Sequence, residues 1–235
     1  MAPKRVTRKE LLKEPDEFLT TSGIVVQYFR DNPRMGTLAG VGVAAIMAAI
    51  IGWYGYSQHA RSAGHEIFEK AYRSYQAAAL SAEPVPREKW DQIFKEFDAV
   101  AEAYPSWPAG ETALLYTGHV LYKMQDFERA LKRYDRMKST NLVKQGLDSL
   151  VMYNRAMTLI ALKDYDKALV ILNDFSKNTD SPYRREAFAS IAKIYEFQGK
   201  KKEAVQAYRQ YLKIFPQAPD AALVKARIAN LAAQG

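Results

Sequence analysis

Residues 118–134, GHVLYKMQDFERALKRY, decide the fold of this chain. A small residue, Gly118, is followed nine positions later by an aromatic, Phe127, then by Ala130 and, four beyond, by Tyr134. Residues 156–172, AMTLIALKDYDKALVIL, repeat the spacing as Ala156, Tyr165, Ala168 and Leu172. Residues 192–208, AKIYEFQGKKKEAVQAY, repeat it again as Ala192, Lys201, Ala204 and Tyr208. The sets recur after 38 and then 36 residues, near the roughly 34-residue period of helix–turn–helix arrays. The small residue lets two helices cross closely, the alanine lets the second helix tuck in, and the large side chains fill the groove between neighbours.

These segments resemble tetratricopeptide repeats with several degenerate consensus positions. The resemblance implies an all-α solenoid over residues 106–219, used as a surface for binding other proteins. Upstream, Ile67, Phe68, Ala71, Tyr72 and Tyr75 give a broad apolar face to a helix from His65 to about Leu80. Pro84 and Pro86 break it, and a second helix from about Arg87 to Ala103 carries Trp90, Ile93, Phe94, Phe97 and Val100. Residues 58–105 thus read as a linker helix joined to a degenerate first repeat. Asp220 is expected to cap a final helix over 220–235, whose Leu223, Val224, Ile228 and Leu231 cover the end of the stack.

Residues 35–57 contain no charged side chain. A helix of about 22 residues spans roughly 33 Å, enough for a bilayer core. Trp53, Tyr54 and Tyr56 lie at one end, where amphipathic rings prefer the headgroup level, and Arg30 and Arg34 flank the other. The run is too long and begins too late for a cleaved signal peptide, so a retained single-pass N-terminal transmembrane helix is expected. Lys4, Arg5, Arg8, Lys9, Lys13, Arg30 and Arg34 precede it, which predicts a cytoplasmic N-terminus and outward-facing repeats. Gly36, Gly40, Ala44, Ala48 and Gly52 fall at four-residue steps, a small-residue face that could dock another transmembrane helix. Before the span, residues 1–34 form a basic segment. Pro15-Asp16-Glu17 reads as the start of a short amphipathic helix with Phe18, Ser22, Val25, Val26 and Phe29 on one face, lying on lipid or docking a protein.

This architecture, together with the repeats of residues 111–216, is similar to membrane-anchored bacterial tetratricopeptide proteins, in particular the ancillary subunit family of the SecYEG translocon. The likeness implies a periplasmic chaperone-like or scaffolding role at the bacterial inner membrane.

In such arrays the first helix of each repeat lines the concave face. Its exposed positions are expected to be Thr112, Leu115, His119 and Tyr122, then Leu150, Tyr153, Met157 and Ile160, then Glu186, Ala189, Lys193 and Glu196. The protein-binding groove is therefore assigned to Leu115, His119, Tyr122, Tyr153, Asn154, Met157 and Lys193. Asn154 and Lys193 could belong to a carboxylate clamp, but Leu115 and Met157 stand where polar groups are needed, so that ligand is not expected. A second surface carries Arg129, Lys132, Arg133 and Arg136, read as a solvated face or a dock for acidic protein or headgroups.

Composition narrows the chemistry. Cysteine is absent, which removes disulfides, thiolate metal sites and a cysteine nucleophile. The three histidines, His59, His65 and His119, have no metal-ligand spacing within a helix. No phosphate loop, dinucleotide fingerprint or nucleophile elbow is present, so no cofactor and no catalysis are expected. The net charge of +8 is dilute, without the basic stripe of a nucleic-acid binder. The sequence therefore predicts a membrane-anchored accessory factor that binds other proteins, with self-association as a further option. Its rival is a permanent structural subunit of a larger membrane assembly.

Overall fold

The computed structural model describes residues 17–233. Residues 1–16, where the expected helix start at Pro15 falls, and residues 234–235 lie outside the described residues. Residues up to His59 and residues from Ala60 make two units, and each is described by itself.

The repeat turns are closed by the same backbone device three times. Gln125, Lys163 and Gly199 adopt left-handed φ values of 61°, 61° and 72°. Asp126 N–H then reaches the Leu121 carbonyl at 2.9 Å, Asp164 N–H that of Leu159 at 2.9 Å, and Lys200 N–H that of Tyr195 at 2.9 Å. These bonds satisfy carbonyls that a helix end leaves open. Asp126 and Asp164 next accept the N–H of Arg129 and Lys167, each at 3.4 Å, capping the following helix. In the third turn Lys200 stands at that position and makes no side-chain cap.

In the second unit, the part of helix α2 (Pro33–Ala79) from Ala60 onward is followed by α3 (Arg87–Ala103), α4 (Pro108–Lys123) and α5 (Phe127–Met137). After a short π-helical turn, Val143–Leu147, come α6 (Asp148–Ala161), α7 (Tyr165–Lys177), α8 (Arg184–Phe197), α9 (Lys201–Ile214) and α10 (Ala221–Ala233). From α3 onward each helix packs on the next, the topology of a helical-hairpin solenoid. No strand occurs among the described residues.

Three of the four residues that define each repeat spacing are buried, while the fourth is half-buried at Phe127 and Tyr165 and exposed at Lys201. Ala130, Ala156, Ala168, Leu172, Ala192 and Ala204 are sealed from solvent, with Tyr134 and Tyr208 nearly so. Gly118 has a specific reason to lack a side chain: a Cβ there would lie 2.6 Å from Cε1 of Tyr134. Three apolar clusters run along the array. The first joins α2 to α6 around Phe68, Phe97, Leu121 and Tyr134. The second joins α6 to α8 around Ala156, Leu172 and Ile194, and the third seats Val224 and Leu231 of α10 on Tyr208 and Tyr211. Glu111 of α4 is 3 % exposed, and its two carboxylate oxygens accept the N–H groups of Asn141 and Leu142, each at 2.9 Å. One buried carboxylate therefore holds the start of the segment leading into α6.

The apolar stretch and the helix read from His65 belong to one helix, Pro33–Ala79. No proline interrupts it, and Gly64 is used for close approach to the Tyr104 ring, where a Cβ would lie 3.2 Å from Cγ. The helix continues past the change in hydropathy at Tyr56. Two of the four basic side chains on α5 are ion-paired to α3, and Arg129 is paired to Asp126. Arg133 reaches Asp98 at 2.8 Å, Arg136 reaches Glu102 at 2.9 Å, and Arg129 and Arg133 stack on Phe94 at 5.0 and 5.5 Å.

In the first unit, α1 (Glu17–Asp31) ends before Asn32, and Pro33 opens α2. Gly36 lies against Phe29, where a Cβ would meet the backbone oxygen at 3.5 Å. The apolar stretch of α2 has a mean hydropathy of 2.0 with none of it buried, and is long and apolar enough to cross a membrane. Ile46, Ile50, Ile51, Trp53 and Tyr54 are all exposed. A Cβ at Gly40 or Gly52 would meet nothing within 4 Å.

Candidate protein-binding groove

Cavities open between helices α2, α4, α6 and α8, the first helices of successive hairpins. The first, about 290 Å³, is lined by Tyr75 of α2, His119, Tyr122 and Lys123 of α4, Tyr134 of α5, and Asn154 and Met157 of α6. Four groove residues assigned from sequence, His119, Tyr122, Asn154 and Met157, thus meet at one place. The second, about 370 Å³, brings Tyr153 together with Arg185, Glu186, Lys193, Tyr211 and Asp220. Lys193 also borders a third hollow of about 380 Å³ against Phe197, Leu223 and Arg227.

Leu115 is a correction. It is 4 % exposed and belongs to the first apolar cluster, so it cannot meet a partner. Its burial in that cluster removes it from the groove. Leu150 and Ile160 are likewise half-buried against the core clusters.

The walls of the first cavity are polar at their tips and aromatic in their bodies. Tyr75 packs edge-on against Trp90, Phe97 and Tyr116 at 6.0, 6.2 and 5.2 Å. Such pairs add roughly 0.5–1.5 kcal/mol each beyond area burial and hold the ring in place. Burial, then the neighbouring Tyr72, raises the Tyr75 hydroxyl, and burial raises that of Tyr134, so both stay protonated donors at neutral pH. Burial lowers His119 to about 4, leaving a neutral imidazole between Tyr116 and Tyr134. Asn154 gives one N–H to the Leu150 carbonyl at 3.0 Å and keeps its amide oxygen free of that bond. In the second cavity Tyr153 stacks on Tyr183 at 4.4 Å, nearly parallel.

The charged side chains of the groove divide into paired and unpaired. Arg185 bonds Glu186 at 2.7 Å, Arg227 is paired with Glu196, and Asp220 accepts the Tyr211 hydroxyl. Among the described residues Lys123 and Lys193 have no ion-pair partner. Sequence reasoning missed Tyr75, Lys123 and Tyr134 as cavity walls. In sequence Tyr75 stands on the apolar face of the helix from His65, and the signals at the other two are adjacency to Tyr122 and the repeat spacing itself.

A stack of helical hairpins with open, aromatic-lined cavities is the form of a repeat scaffold, a fold typically used for protein interaction and not for catalysis. The chain belongs to the tetratricopeptide repeat-like domain family, whose profile matches residues 27–233. Repeats of this family generally bind other proteins. Among solved structures, a tetratricopeptide repeat protein from Parabacteroides merdae is 17% identical with a TM-score of 0.52, covering 72% of this chain and 61% of its own. A Podosopora anserina protein with nearly identical tetratricopeptide-like repeats is 14% identical with a TM-score of 0.55, covering 74% of this chain and 89% of its own. At these identities the likeness is one of fold. No curated protein matches the chain.

Proposed function

We propose that this chain is a single-pass protein of the bacterial inner membrane whose repeat domain holds exposed segments of other proteins beside a translocation or assembly complex. The N-terminus lies in the cytoplasm and the repeats in the periplasm, a reading supported by the Lys/Arg excess before the apolar stretch. Lipid contact is supported by the unburied apolar residues of α2 and by Trp53, Tyr54 and Tyr56 at one end of them. The observation that carries the binding role is the pair of open cavities at Tyr122 and Tyr153. Binding there needs no energy source. It holds a segment by mass action and releases it as concentrations fall.

The test is a photo-reactive phenylalanine analogue at Tyr122 or Tyr153, irradiated in intact membranes, with adducts identified by mass spectrometry. A spread of exported or assembling proteins supports the accessory role. Absence of adducts at both positions, with adducts from the exposed Asn173 of α7, would count against it. Alkaline extraction and protease access from each side check the anchor and its direction.

A second reading is a permanent structural subunit. It is favoured by the face of α2 carrying Gly40, Ala44, Ala48 and Gly52, of which Gly40 and Gly52 have open space where a Cβ would be. Gly40→Ile with Ala44→Ile is then expected to abolish co-purification with a partner held at fixed stoichiometry. Unchanged co-purification removes this reading.

A further inference from the structure

Helix α1 leaves an apolar face uncovered beside the stretch read as the anchor. Resting on that reading, we propose that α1 lies along the cytoplasmic surface of the same membrane. Its Val25, Val26 and Phe29 face is set into the lipid, with Arg30 and Arg34 at the headgroups.

The face itself is plain. Val25, Val26, Tyr28 and Phe29 are between 37 and 66 % exposed. Helical period puts Val25, Val26 and Phe29 on one side of α1 and the exposed Gln27 and Asp31 on the other. Large apolar side chains grouped in water are unfavourable, and a helix of this pattern buries them by lying in the plane of a bilayer surface.

Tethering selects lipid over a soluble partner. Helix α1 ends at Asp31, the single residue Asn32 follows, and Pro33 opens α2. Phe29 is six residues from Met35, where the uncharged run begins. That is about 9 Å of helix, so the apolar face starts at headgroup depth. A surface held this close is present at high effective concentration, against which a protein from solution must compete.

The joint lets α1 leave the direction of α2. Pro33 has no N–H for the Phe29 carbonyl and its ring crowds that oxygen, a common cause of a sharp bend. The Asn32 side chain donates to the Tyr28 carbonyl at 3.0 Å, and the Asn32 carbonyl accepts the N–H groups of Met35 and Gly36 at 3.0 and 3.1 Å. One residue thus closes α1 and starts α2. Gly36 keeps the corner open, since a Cβ there would lie 3.5 Å from the Phe29 carbonyl oxygen and 3.6 Å from its Cβ.

Charge fits the same surface. Arg30 and Arg34 stand on either side of the joint, both exposed and without an ion-pair partner among the described residues. Cations at this depth meet lipid phosphates, and the Tyr28 ring suits the headgroup level. Of the described carboxylates of α1, Asp31 is on the polar side and Glu17 is at the end far from the span.

The absence of cysteine makes the test direct, because each single-cysteine variant takes one label. Full-length Val25→Cys, Val26→Cys, Gln27→Cys, Phe29→Cys, Asp31→Cys and Ile46→Cys are labelled with a nitrobenzoxadiazole dye. They are reconstituted in vesicles of phosphatidylethanolamine and phosphatidylglycerol, and depth is read by nitroxide-lipid quenching. Labels at 25, 26 and 29 are expected about 5–10 Å into the headgroup and acyl boundary, with those at 27 and 31 in water. Adding Val25→Asp with Val26→Asp should release the label at 29 into water while that at Ile46 stays deep.

Labels in water at all five α1 positions, or equal depth at all five, overturn the inference. So does a 25, 26, 29 pattern seen in native membranes and lost in lipid vesicles, which assigns the face to a protein. A label at Ile46 in water removes the anchor reading itself. With Ile46 deep and α1 in water, the anchor stays and this inference falls.

Discussion

Gly118, Glu111 and His119 each do something that no neighbour can replace. At Gly118 the Tyr134 ring occupies the space of a side chain. Gly118→Ala is therefore expected to destabilise the chain by about 1–3 kcal/mol through overpacking, read as a lower urea midpoint. Ala192 tolerates its methyl at the equivalent place, so this cost is local to the first of the three repeats. Glu111 serves two backbone N–H groups at once. Glu111→Ala leaves both without their acceptor and should cost about 1–3 kcal/mol, with faster amide exchange at Asn141 and Leu142. For His119, burial sets the folded value near 4, below the ordinary 6.5. The unfolded chain then binds the proton more readily, so this contribution is intact above pH 6.5 and is lost as pH falls toward 4. His119→Phe should flatten the fall in stability across that window relative to the parent. Equal slopes would show that the imidazole is not responsible.

At the scale of the element, the helix ends show which repeat is least well made. Asp126 and Asp164 cap α5 and α7, whereas Lys200 leaves α9 without a side-chain acceptor. Lys200→Asp places an acceptor three residues before the Glu203 N–H, the same offset as the other two caps. A gain of about 1 kcal/mol is expected, measured by thermal or urea unfolding. The turn glycine makes the opposite prediction. Gly199→Ala forces a Cβ into a φ of 72° and should cost about 1 kcal/mol. Gln125 and Lys163 already bear that strain, which the Asp caps following them help to offset. The caps stand at matching places in the sequence, where Asp126 and Asp164 directly precede the second helix of their hairpins and Lys200 precedes that of the third. Residues 57–64 carry no proline or other stop signal, and the α2 helix runs through them.

Across the whole molecule, stability is shared between neighbours and function along a surface. Helix α10 seats Val224 and Leu231 on Tyr208 and Tyr211. Ending the chain after Pro219 should strip amide protection from α8 and α9 while α4 and α5 keep theirs, since each hairpin leans mainly on those beside it. Uniform loss of protection would instead mean a single cooperative block. The groove, by contrast, is collective. Its first cavity draws side chains from four helices, and no single substitution defines it.

The sequence by itself determined the class of fold. Gly118, Ala156 and Ala192, with Ala130, Ala168 and Ala204, could recur at that spacing only if hairpins stacked closely, and all are buried where the period puts them, Gly118 against Tyr134. It also determined the apolar stretch of α2, since a long run without charge is a property of composition alone. Tertiary structure alone decided which inward positions remain open. Leu115 and His119 lie one turn apart on the same helix, yet one is buried in the first apolar cluster and the other lines a cavity with Tyr75 and Tyr134. Helical period fixes the face on which a residue stands, but exposure depends on how near the next helix comes, and that follows from side chains far away in sequence.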